Sequence, residues 1–269
     1  MPLSGIMSES VKDKHLHTEM PLSGRMEVIM TQEIIRIDLR GVNSYLIKTG
    51  EGFLLVDTGG HLTMDKEYSD RYTELKNTLL KVGCTEENLR VVILTHGDSD
   101  HTANVVKIKN DFHSLIAMHE KDLELVQHPT LNKVMENSRF SSPVNRLLFF
   151  LFRKPIHKMM ARVLKDYEAF TPDLFLNEGE DLSRFGADAR ILYLPGHTAG
   201  SIAILTTEGE LICGDIFANI KVPQPAPNAL DFNQMSHSIS RLRGKGIKKI
   251  YPGHGEPFEA DRLKALQQY

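Results

Sequence analysis

From residue 33 onward, apolar and polar positions come in short runs: Ile34, Ile35 and Ile37, then residues 44–48, then residues 53–56, with glycine-containing turns between them. Runs of that length predict a β-meander. The period then changes. Over residues 70–82, Tyr72, Leu75, Leu79 and Val82 recur at helical spacing on one face, and Gly83 marks the stop. A buried strand is predicted at 91–94, a helix at 104–110, a strand at 114–118 and a helix at 120–126. After residue 170 the pattern repeats, with strands at 189–194, 202–206 and 210–213, a Pro-rich loop at 222–227, a helix at 231–242, a strand at 247–251 and a closing helix at 261–267. Strands and helices in this order imply an α/β (α+β) body with helices packed on sheets.

Two stretches stand apart from that pattern. Residues 1–30 are polar and weakly periodic, with His15 and His17 among charged neighbours, and are expected to be a loose leader. Between about 128 and 170 the composition shifts, and Pro155 divides two helical patterns. The second carries Ile156, Met159, Met160, Val163 and Leu164 at helical spacing. From 144 to 165 there are six Lys or Arg and no Asp or Glu. The plain expectation is an inserted helical hairpin that buries its own apolar stripe against the body. Sharper alternatives are a substrate lid, a dimer contact, or adhesion to an anionic membrane surface.

A chain of 269 residues is long enough for one sizeable core. With 32 basic and 35 acidic residues the formal charge is −3, so no global basic field points to nucleic acid as a partner. Cys84 and Cys213 are the only cysteines, too few for a disulfide framework and without thiolate zinc-site spacing. No early stretch has the form of a secretory signal, and no run approaches the roughly 18 apolar residues of a membrane span. A cytoplasmic setting is therefore expected.

The candidate chemistry sits where apolar strands end. Thr95-His96-Gly97-Asp98-Ser99-Asp100-His101 follows the 91–94 strand directly and places four potential ligands in six residues. Capping by Asp98 or Asp100 of the next helix would explain one carboxylate, not the cluster. Leu194-Pro195-Gly196-His197 and Tyr251-Pro252-Gly253-His254 each put a histidine after an apolar strand and a tight Pro-Gly step. Between them, Cys213-Gly214-Asp215 delivers a carboxylate at the end of another strand. Histidine and carboxylate donors without thiolates suit zinc, iron or manganese in an open site.

This set resembles the metallo-β-lactamase superfamily through the Leu55-Val56-Asp57-Thr58-Gly59 turn, the His-rich loop, Gly196-His197-Thr198, Gly214-Asp215 and Gly253-His254. The resemblance runs from about 34 to 258. It implies a four-layer αββα sandwich, expected as one domain over 31–269 with the helical insertion at about 128–170. It also implies two divalent metal ions, zinc first and iron or manganese as alternatives. His96, Asp98 and His197 would hold one; Asp100, His101 and His254 the other; Asp215 would bridge them, and Asp57 would orient a ligand from behind. Asp98 stands where the family's second motif histidine is usual, and this added oxygen donor shifts preference toward iron or manganese. His61 is expected in a surface loop, Cys213 in core packing, and Thr198 and Ser201 holding the loop after His197.

The function so implied is hydrolysis of a small-molecule ester, thioester, lactone or phosphoester by a metal-bound hydroxide, with Asp100 handling a proton. The sequence Ile216-Phe217-Ala218-Asn219-Ile220-Lys221 lacks the basic and tyrosine pattern of glutathione-thioester hydrolases. A non-haem iron redox enzyme, persulfide dioxygenase-like or oxygen-reducing, is the alternative on the same ligands; a membrane- or protein-binding module is the third.

Overall fold

The computed structural model describes residues 32–61 and 68–263. The leader expected over 1–30 and most of the closing helix expected over 261–267 lie outside the described residues. Within the unit Thr31–Tyr269, the first sheet is formed by β1 (Glu33–Asp38), β2 (Asn43–Thr49), β3 (Gly52–Val56), β4 (Leu89–Ile93), β5 (Leu115–Met118) and β6 (Leu174–Phe175), in that spatial order. The first three strands are an antiparallel meander, and β3 through β6 run parallel. The second sheet contains β7 (Ala189–Tyr193), β8 (Ile202–Thr206), β9 (Glu210–Asn219), β10 (Gln224–Pro225), β11 (Lys249–Gly255) and β12 (Phe258–Glu259). Its order is β12-β11-β9-β8-β7, with β10 also paired to β9.

Period-two alternation decides what fills each layer. On β3, Leu54 and Val56 join Tyr45, Ile47, Val91 and Ile93 against Ile191, Ile204, Ile212 and Tyr251 of the second sheet. Phe53 and Leu55 point the other way, onto Leu75 and Leu79 of α1 (Tyr72–Lys81). Short α2 (Ser99–Thr102) leads into α3 (Val105–Phe112), whose Val105, Ile108 and Phe112 complete that outer layer. The insertion follows α4 (Leu123–Gln127) as α5 (Leu131–Asn137), α6 (Pro143–Leu151) and α7 (Arg153–Asp166). On the far side, Met235 and Ile239 of α8 (Phe232–Ser240) cover Leu192, Leu205 and Leu211. Helix, sheet, sheet and helix give the expected αββα sandwich.

Four elements differ from their sequence reading. The strand expected at 210–213 continues to Asn219, and the one expected at 247–251 continues to Gly255. Both read as ended because Gly and Pro interrupt them. Instead the parallel β9–β11 ladder absorbs these residues as register shifts at Tyr251/Pro252 and Pro252/His254, which re-aim side chains without breaking pairing. The helix expected at 120–126 is a 3-10 turn over Glu120–Asp122 followed by α4. The helical break in the insertion falls at Phe152, not at Pro155. Pro155 lies in the first turn of α7, where a missing N–H costs nothing.

Candidate metal centre

The parallel strands β3 and β4 and the strands β7, β9 and β11 bring their site residues to one edge of the sandwich. Asp98 takes the position preceding α2 with extended backbone, but its carboxylate makes no capping hydrogen bond. It faces His197 instead, with Asp98 Oδ2 at 3.2 Å from His197 Nε2 and 3.8 Å from His96 Nε2. Donor atoms of His96, Asp98 and His197 form one group within 4.8 Å, and those of Asp100, His101 and His254 form another. Asp215 stands between the groups, Oδ1 at 3.4 Å from His101 Nε2 and Oδ2 at 3.6 and 3.2 Å from His197 and His254 Nε2.

All seven residues expected at the site thus converge, with Nε2 of each of the four histidines turned inward. Each Nδ1 has a partner behind it. His101 Nδ1 lies 2.9 Å from Asp57 Oδ2, His96 Nδ1 3.0 Å from Thr95 Oγ1, His197 Nδ1 3.1 Å from the Asn228 carbonyl and His254 Nδ1 2.6 Å from the Gly41 carbonyl. A carbonyl or carboxylate behind Nδ1 fixes the proton there and leaves the Nε2 lone pair for a cation. Asp57 thus stands behind the His101 ring, at its Nδ1. Held at φ 58, it also accepts from Thr95 N and Thr95 Oγ1, both at 2.7 Å.

The second sheet needs its own braces. Asn43 Nδ2 donates to the carbonyls of Pro252 and Gly255 at 2.9 and 2.7 Å, and Tyr45 Oη to that of Pro252 at 2.7 Å. The opposite sheet thus fixes the turn that carries His254. Two glycines are required by closeness: a Cβ on Gly253 would meet Asp215 Oδ1 at 2.2 Å, and one on Gly214 would meet Thr95 Oγ1 at 2.4 Å.

The arrangement fits a cation. His96 Nε2, His101 Nε2 and Asp215 Oδ1 are buried without a hydrogen-bond partner, a cost that native folds rarely carry unexplained. Two donors each about 2.1 Å from one tetrahedral ion would stand about 3.4 Å apart, the spacing seen here. Charge agrees. Against the opposing effect of burial, the carboxylates of Asp215, Asp57 and Asp100 hold His101 well above the usual imidazole range, and Asp215 and Asp100 do the same for His254. Against the same burial, His101 and His254 draw Asp100 down to about 2. His96, surrounded by histidines, is instead pushed down to about 4, chiefly by burial. A pocket of three carboxylates that pulls protons onto its histidines is a pocket suited to positive charge.

One supporting residue has no signal in the sequence pattern. Buried Asp122 accepts from Gly97 N at 2.8 Å, Gly200 N at 2.6 Å and Thr198 Oγ1 at 2.6 Å. It ties the His96–His101 loop to the loop after His197, while Thr198 and Ser201 hydroxyls close that second loop at 2.8 Å. Burial raises its carboxyl to about 6. Within the 120–126 run it reads as one more polar residue of a helix. His61 is a second difference: expected in a surface loop, it lines the cavity beside the centre and stacks on Tyr68 at 4.0 Å between ring centroids. Arg162 of α7 lies over the Tyr68 ring, and Tyr68 Oη donates to Asp166 at 2.7 Å, mooring the insertion to that wall.

Residues 37–254 match the family model of the metallo-beta-lactamase superfamily. The chain belongs to that superfamily. Superfamily relatives include a beta-lactamase-like protein 2 homolog of Caenorhabditis elegans, 22% identical over 81% of this chain. The chain spans only 57% of that relative's length. A hydroxyacylglutathione hydrolase GloC of Haemophilus influenzae is 28% identical over 70% of this chain and 72% of its own length. A human acyl-coenzyme A thioesterase MBLAC2 is 22% identical over 83% and 76%. Among solved structures, a superfamily protein from Thermus thermophilus superposes with a TM-score of 0.62 at 22% identity, covering 88% of this chain and 77% of that one. Superfamily membership is what the family model establishes; hydrolase and thioesterase are the names of the relatives.

Proposed function

We propose that the chain hydrolyses esters or thioesters bearing an apolar acyl group, with His96, Asp98 and His197 holding one divalent cation, Asp100, His101 and His254 a second, and Asp215 shared. The observation that carries this reading is a cavity of about 320 Å3 with two unlike ends. Asp98, Asp100, Asp215 and His254 line one end; Phe140, Phe149, Ile156, Met160 and Val163 line the other. That volume lies within the range of small-molecule sites. Ser138 is the one hydroxyl that the insertion brings to the cavity, and it donates to the Val134 carbonyl, so the reacting group belongs at the carboxylates and a hydrocarbon portion in the insertion. The thioesterase and acylglutathione hydrolase named among the relatives are in keeping with it.

When bound, the cations supply a Lewis acid for the substrate carbonyl and a water acidified toward neutral pH. The protein's own residues do the rest. Asp100 lines the cavity and is the carboxylate we assign to accept the proton of the attacking water. Asp57, Thr95 and the Asn228 and Gly41 carbonyls keep the imidazoles aimed. Val163 and Leu164 exclude water from the acyl end. Zinc is the first candidate on the donor set, and Asp98 brings iron and manganese into range. The two cysteines, buried and free, accord with a cytoplasmic setting.

A series of acyl thioesters of increasing chain length tests the reading, with metal content measured on the same preparation. Each buried methylene should raise kcat/KM about fourfold, at about 0.8 kcal/mol apiece, until the cavity is filled. A flat series, or turnover that survives complete removal of metal, would overturn it.

A further inference from the structure

Helix α6 faces the wrong way for a helix that merely covers a core. Val144, Leu147, Leu148 and Leu151 recur three and four residues apart and so share one face. That face points outward, the four side chains being 65, 58, 47 and 63% exposed. No residue of α6 is buried. Its inner side is Asn145 and Phe149, and Phe149 packs on Phe140 at 5.3 Å between ring centroids. Phe150 and Phe152 add exposed rings. Of the eleven large exposed hydrophobic residues among those described, six fall between 144 and 152, which makes a patch and not a scatter.

The surroundings of this patch say what covers it. Arg153, Lys154 and Lys158 at the start of α7 are exposed, and the span 144–165 holds no Asp or Glu. A second copy of the chain would bring the same cations against these with no acid in the span to answer them, and like charges repel. An anionic lipid surface supplies both things the patch lacks, an apolar layer and negative charge. No described helix is long and apolar enough to cross a membrane, so the contact is interfacial. The patch also adjoins the cavity. Phe149 lines it from α6, and Ile220, 69% exposed, lines it from the loop after β9.

We propose that α6 and the start of α7 seat the protein on an anionic lipid surface, the Val144-Leu147-Leu148-Leu151 face entering the boundary between headgroups and acyl chains and Arg153, Lys154 and Lys158 meeting lipid phosphates. The proposal concerns adhesion and stands apart from turnover.

Co-sedimentation of the full chain with vesicles tests it, using phosphatidylcholine alone and an equal mixture of phosphatidylcholine and phosphatidylserine. The chain should pellet at least tenfold more with the mixed vesicles. Binding should weaken as salt shortens the screening length from about 10 Å near 0.1 M to about 3 Å near 1 M. The double variant Leu147→Glu/Leu151→Glu and, separately, the triple variant Arg153→Glu/Lys154→Glu/Lys158→Glu should each lose binding tenfold or more. Unchanged circular dichroism and thermal midpoint would show that these variants fold. Equal binding to neutral vesicles overturns the proposal, as does undiminished binding by either folded variant. So does a wild-type dimer that fails to pellet and that Leu147→Glu/Leu151→Glu dissolves, because the patch would then be a contact between copies.

Discussion

Replacing Asp122 by alanine separates positioning from global stability, because two opposing effects of similar size meet at that side chain. Removal leaves the N–H groups of Gly97 and Gly200 without their acceptor, at about 1–3 kcal/mol each. The Thr198 hydroxyl keeps its Ser201 partner. Against this, burial raises the Asp122 carboxyl from 3.8 to about 6. At about 1.4 kcal/mol for each tenfold change in proton affinity, the ionised form therefore costs the wild-type fold about 3 kcal/mol. The sign follows from that rise: the folded state binds the proton more tightly, so the penalty is absent below about pH 4 and full above about pH 6. Metal-free Asp122→Ala should thus gain up to about 3 kcal/mol relative to wild type between those two pH values, as read by urea unfolding of both proteins. At neutral pH the two should differ by no more than about 3 kcal/mol either way. Metal affinity should behave differently, since Asp122 joins the two loops that carry His96 and His197. Competition against a chromophoric chelator should show it 10- to 100-fold weaker, the order found for residues that orient ligands. An affinity within twofold of wild type would refute the reasoning.

Other outcomes follow from the same geometry. Asp100→Ala should lower kcat by about 10²- to 10⁴-fold with unchanged circular dichroism, and full activity would remove Asp100 from the chemistry. Stripping metal should lower the thermal midpoint by about 8–16 °C, because a cation at about a thousand times its Kd contributes about 4 kcal/mol; an unchanged midpoint on calorimetry would argue against any bound ion. Gly253→Ala places a Cβ 2.2 Å from Asp215 Oδ1 and 2.7 Å from His101 Cε1, and should weaken metal binding at least tenfold by the same chelator competition. Gly83→Ala meets nothing within 4 Å, so it should cost only about 1–2 kcal/mol of left-handed backbone strain and leave metal affinity unchanged.

Much of the site was legible in the sequence because its signals are local. An apolar run of period two followed by His-x-Asp-x-Asp-His, or by Pro-Gly-His, marks a strand end with donors on it, and no partner need be known to read that. The same locality explains the elements that differ. Gly214 and Pro252 interrupt a local strand pattern, yet pairing between β9 and β11 carries the strands through them. Asp122 and His61 look like ordinary polar residues of a helix and a loop. Their importance comes from Gly97, Thr198 and Gly200 in one case and the cavity wall in the other, none of them near in sequence.

By itself, then, the order of residues determined most of the strands and helices, the donor types and the family, all of which depend on neighbours within a few positions. Tertiary structure alone decided that four imidazoles turn Nε2 toward three carboxylates. It also decided that one aspartate bridges the loops of His96 and His197, and that α6 turns its leucines outward while α7 turns Ile156, Met160, Val163 and Leu164 toward the cavity. A helical period reports that an apolar stripe exists, but only the elements packed around the helix determine which way the stripe faces.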